Sequence, residues 1–137
     1  MGETGKSLRS PKSLRSPLGR ARGLGSAKEG VNHWWAQRMT ALALIPLGLW
    51  LVASLVCLAG ADYAAVTAWL AAPTSVGAIS LTILAVVYHA ILGMQVVIED
   101  YIHTPATKLV LMVGLQLGGF AIATAAIVSL LVIAFAG

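Results

Sequence analysis

The sequence predicts an all-α integral membrane protein: a three-helix transmembrane bundle with a disordered basic N-terminal arm. Three observations carry that prediction. Of the 137 residues, 58% are hydrophobic and 10% charged, against roughly 25% charged in a soluble domain. The apolar residues gather into three runs, each as long as the ~20 residues needed to cross a ~30 Å hydrocarbon core. And seven of the nine Lys and Arg residues fall before residue 30, so the net charge of +4 belongs to a tail rather than to a nucleic-acid-binding face.

Residues 1–32 form the arm. It is rich in Ser, Gly, Pro, Arg and Lys, and Ser-Leu-Arg-Ser-Pro occurs at 7–11 and again at 13–17. Sequence of this kind cannot bury a core and is expected to stay extended. It reads as a solvated tail or as a basic segment lying on anionic lipid, where each Lys or Arg contributes about 1 kcal/mol. An Arg- and Ser-rich transit peptide is a third reading, opposed by Pro11, Pro17 and the glycines, which spoil an amphipathic helix.

Residues 33–137 form the membrane anchor, with spans at about 35–59, 75–98 and 109–136. Trp34 and Trp35 suit the aromatic belt at the start of the first span. Pro46 interrupts that span in a way membrane helices tolerate. Residues 60–74, with Gly60, Asp62, Trp69 and Pro73, read as a loop or short interfacial segment. Glu99 to Lys108 is a short polar turn with Pro105. The third span carries no charge and, at ~1.5 Å per residue, is roughly 40 Å long, so it should tilt or protrude. Gly114, Gly118 and Gly119 suit close helix contact there. Cys57, the single cysteine, lies in an apolar run and reads as a small hydrophobe.

Basic residues set the orientation. The arm and Arg38 are positive, the 60–74 loop has no Lys or Arg, and the turn after span two has Lys108. The positive-inside rule then puts the N-terminus and the 99–108 turn on the cytoplasmic side of a bacterial inner membrane, or the matrix side of a mitochondrial one.

The second span holds the chemistry. His89 is ionisable and sits within it, and such a residue is a functional-site hypothesis by default. From His89 to Asp100 is eleven residues, three turns plus about 20° at ~100° per residue, with a separation of roughly 16 Å along the axis. Both therefore lie on nearly one helix face. Gly93, one turn after His89, lies on that face and leaves it flat, so that a large planar group could approach. Alone, His89 reads as a metal-bearing cofactor's ligand or as a hydrogen-bond bridge to a neighbouring helix. Asp100 and Tyr101 read as a helix terminus with a belt tyrosine, or as a site that donates a hydrogen bond and relays a proton.

The pattern of His89, Gly93, then Asp100 and Tyr101, within three spans, resembles the second helix of the small haem-bearing membrane anchor subunit of succinate dehydrogenase. The stretch Arg38-Met39-Thr40-Ala41-Leu42 resembles that family's Arg-x-Thr-Ala segment, and the likeness covers roughly Trp34 to Ala136. The resemblance implies that His89 is an axial ligand of the iron of haem b and that Tyr101 hydrogen-bonds ubiquinone. It implies that Asp100 orients the quinone surroundings, and that Arg38 meets a haem propionate or those same surroundings. His33 is a further propionate candidate. His33 and His103 lie too far along the axis to face His89 across one haem. The second ligand is therefore implied to come from a larger anchor subunit. The other implied partners are an iron–sulfur subunit and a flavoprotein that oxidises succinate, and whether turnover runs toward succinate oxidation or fumarate reduction is left open. Tyr88, Met94 and Met112 read as packing. Nothing resembles a dinucleotide loop, a metal-cluster cysteine set or a hydrolytic triad. The rival is a small non-catalytic membrane protein in which His89 is only a bridge between helices.

Overall fold

The structure is a computed structural model that describes residues 27–136, with side chains described over 30–135. Most of the basic arm therefore lies outside the described residues, and its expected disorder with it. Four helices follow in order: α1 (Ala27–Cys57), α2 (Tyr63–Ala71), α3 (Pro73–Tyr101) and α4 (Pro105–Ala136). α1, α3 and α4 are long and apolar enough to cross a membrane. α1 begins ahead of the expected span, so the last residues assigned to the arm, 27–32, are helical. Pro46 sits inside α1; lacking an N–H, it leaves the Leu42 carbonyl without its helical partner.

The chain turns at residues whose backbones cannot continue a helix. Gly60 adopts a φ of 85°, a left-handed conformation that glycine takes without a Cβ penalty. Asp62 then caps α2: its backbone is extended and its Oδ1 accepts from the Ala65 N–H at 2.8 Å. Of the two expectations for 60–74, the short segment is the one observed, as the nine-residue α2. Ala72 is extended (φ −62°, ψ 132°) because the proline after it disfavours the α region, and Pro73 opens α3 where no N–H is needed.

α3 stops at Tyr101, where Ile102 turns extended and its N–H bonds the Ile98 carbonyl at 3.0 Å. The Lys108 Nζ reaches back across the turn and donates to the Glu99 carbonyl at 3.1 Å. A cation therefore sits against the negative end of α3.

α4 packs on α3, and α2 packs against both. Trp69 of α2 also stacks on Trp50 of α1, with ring centroids 5.9 Å apart. The helix contact expected of three glycines is made by one. A Cβ at Gly119 would come within 2.5 Å of Ile91 and 3.3 Å of Val87, whereas Gly114 and Gly118 meet nothing within 4 Å. Glycines one residue apart point about 100° away from each other, so a neighbouring helix can use only one of them.

Among the described residues, the buried apolar side chains are Leu92, Ile98, Ala123 and Leu130, while Leu49, Val56, Phe120 and many like them are exposed. Outer faces this apolar suit lipid or partner helices, since helices satisfy nearly all of their backbone bonds internally. The protein is a multi-pass membrane protein.

Candidate functional site

His89 lies near the middle of α3 with its ring half-buried against α1. Two α1 residues meet it. Thr40 Oγ1 stands 2.9 Å from His89 Nδ1, and Gln37 Nε2 stands 3.4 Å from His89 Nε2. Gln37 and Thr40 are three residues apart, which puts them on one side of α1. The same Gln37 amide lies over Gly93, 3.7 Å from where a Cβ would stand. His89 and Gly93 share one face of α3, as their spacing predicted, and that face is turned to α1.

Protons are scarce at this junction. The Thr40 hydroxyl has one, and the carbonyls of Ala36 (2.8 Å) and Gln37 (3.1 Å) both lie within its reach. Gln37 Oε1 is buried with no hydrogen-bond partner. Its amide is held to the histidine only by a 3.4 Å contact, beyond the usual 2.7–3.2 Å range for an N–H donor. Little keeps it there.

The residues named from the sequence fall into two groups. Asp100 and Tyr101 end α3 side by side and both are exposed, Tyr101 at 77%. Asp100 shares the face of His89, but Tyr101, one residue on, points about 120° from it. Arg38 is not drawn to either. Its guanidinium lies over the Trp34 ring, 5.2 Å from the centroid, a cation–π contact that joins the arginine to the tryptophan pair at the head of the span. His33 is half-buried one turn before Gln37. Gln37 was missed in the sequence, and Thr40 figured there only as a letter in a motif. The available signal was a pair of polar side chains at helical spacing inside an apolar run.

A haem is tested here by donor chemistry. Among the described residues no three of His, Cys, Asp or Glu converge on a point, so these residues offer no cage for a bare ion. A porphyrin supplies four nitrogens of its own and asks a helix wall for one imidazole and a flat approach. His89 over Gly93 offers both, with a loosely held Gln37 as the group to be displaced. The residues present fit the group.

Comparison with known proteins bears on the family of the chain. The profile of the succinate dehydrogenase/fumarate reductase transmembrane subunit family matches residues 12–135. The chain is 36% identical over 104 residues to the succinate dehydrogenase hydrophobic membrane anchor subunit of Rickettsia bellii, covering 76% of this chain and 83% of that one. The Rickettsia conorii protein of the same name is 36% identical over 105 residues, covering 76% and 83%. The one from Paracoccus denitrificans is 30% identical over 113 residues, covering 80% and 85%.

Proposed function

The chain belongs to the succinate dehydrogenase/fumarate reductase transmembrane subunit family, as a membrane anchor subunit, and on that premise we propose that it also supplies one axial ligand to a haem b and one wall of a ubiquinone site. An anchor subunit works in association with the catalytic subunits of its complex, here a flavoprotein and an iron–sulfur subunit. The observation that carries the haem reading is His89 standing over Gly93 on the α1-facing side of α3, with Nε2 met only by the long Gln37 contact.

The roles follow from position. His89 would hold the iron through Nε2, together with a ligand from a larger anchor subunit. When bound, the haem supplies a one-electron centre within the membrane. Tyr101 offers a phenol donor to a quinone carbonyl at the cytoplasmic end of α3, and Asp100 beside it orients that pocket at the water boundary, where a carboxylate relays protons. Arg38, its guanidinium over the Trp34 ring, adds positive charge near the start of α1, where it would serve a haem propionate or the quinone surroundings.

One observation favours the rival reading, in which His89 is only a bridge. Both of its ring nitrogens meet side chains of α1. The two readings part on one spectrum. The assembled complex should show a b-type band in reduced-minus-oxidised absorbance, with haem in a fixed ratio to flavin. A complex that oxidises succinate at the membrane with no such band would leave His89 as a bridge and the chain as an anchor alone.

A further inference from the structure

We propose that Thr40 is the positioning residue that holds His89 in the Nδ1–H tautomer and aims its Nε2 lone pair at the haem iron. The inference rests on the haem reading above and adds to it a residue on α1, a different helix from the ligand.

The tautomer follows from counting protons. Thr40 carries one hydroxyl hydrogen, and its nearest acceptor is the Ala36 carbonyl four residues back, at 2.8 Å, the usual back-bond of a helical threonine. The oxygen lone pairs then face His89 Nδ1 at 2.9 Å. With the hydroxyl hydrogen assigned to the backbone, Nδ1 is assigned its own hydrogen and donates it to Thr40 Oγ1. A neutral imidazole has one N–H, which leaves Nε2 with its lone pair. On that side the Gln37 amide presents its NH2 group, a donor, to the same nitrogen.

The chemistry of such a contact is general. An imidazole that ligates a metal donates its other N–H to an acceptor, which fixes the ring's rotation and makes the ligating nitrogen more basic. Thr40 supplies that acceptor from an otherwise apolar stretch, with Ala41, Leu42 and Ala43 after it. It does so with an oxygen whose own hydrogen is already committed to the backbone.

The test uses the whole complex in detergent, with Thr40→Val and Thr40→Ser. Valine keeps the shape and branching and removes the oxygen; serine keeps the oxygen and removes the methyl. Succinate oxidation with a soluble dye, measured at the membrane, confirms assembly. Two readouts then concern the haem itself: its rate of transfer to an apomyoglobin scavenger, and its midpoint potential. Thr40→Val should release haem roughly 10- to 100-fold faster, the usual scale for losing such a partner. Its midpoint potential should rise, since a less basic ligand stabilises the ferric iron less. Thr40→Ser should match the unaltered complex in both. Unchanged release and potential in Thr40→Val would overturn the proposal, and so would a Thr40→Ser complex that behaves like the valine variant, because packing rather than the oxygen would then be at work. A complex without haem, or one whose haem survives His89→Ala unchanged, would instead overturn the haem reading and leave the Thr40–His89 contact as a bridge between helices.

Discussion

At the scale of single residues, Tyr101 is where two roles can be told apart by one atom. A belt tyrosine works through its amphipathic ring, so Tyr101→Phe would keep its anchoring. A quinone contact works through the hydroxyl, and the phenol is exposed at the end of α3, free to serve a ligand. A hydrogen bond lost in a dry pocket corresponds to roughly 5- to 150-fold in rate. Tyr101→Phe should leave dye-linked succinate oxidation and haem content intact while quinone reduction falls within that range, read as the ratio of the two activities in one preparation. An unchanged ratio returns Tyr101 to the belt. That His89 and Asp100 share one face of α3 was legible because an eleven-residue spacing on one helix fixes relative direction, whereas Tyr101 was singled out by the family resemblance. Gln37 was not legible, because its importance comes from another helix, and no period within α1 says what α1 faces.

At the scale of elements, turn chemistry explains why the helices begin and end where they do. The prolines at 73 and 105 and the aspartate at 62 are local signals, and the break before each helix could be read from them. The helix inside the 60–74 loop was only half legible, since nine mostly apolar residues serve equally as loop or interfacial helix. Contact between helices was the least legible. Gly114, Gly118 and Gly119 look alike in sequence, yet only Gly119 meets α3. Gly119→Ala should therefore weaken the isolated chain in detergent by about 1 kcal/mol, since Ile91 must move its flexible end, whereas Gly118→Ala should be neutral or slightly stabilising, as alanine is the better helix former. The midpoint of SDS-induced loss of helical circular dichroism measures both. Equal effects at the two positions would contradict the packing of α4 on α3.

At the scale of the whole molecule, three spans and an uneven distribution of charge give an expected orientation. Lys108 caps α3 at the turn, and Arg38 sits at the opposite sequence end of the described chain's first span. Both are expected on the cytoplasmic side, as the positive-inside rule requires. In a background with Cys57 replaced by serine, single cysteines at Asn32 and Thr107 should react with an impermeant thiol reagent from the cytoplasmic side and one at Phe135 from the other. Labelling of Asn32 and Phe135 from the same side would require an even number of spans. The site gains its logic from this arrangement. The exposed polar end of α3 faces the side where the catalytic subunits are expected, and His89 lies about 18 Å further in along the helix than Tyr101.

The most direct measurement compares His89→Ala with His103→Ala in the purified complex by reduced-minus-oxidised absorbance, normalised to flavin. His89→Ala should lose or broaden the b-type band while dye-linked succinate oxidation persists, and His103→Ala, at the exposed turn after α3, should leave the band unchanged. A band that survives in His89→Ala and disappears in His103→Ala would contradict the assignment of His89 as the haem ligand.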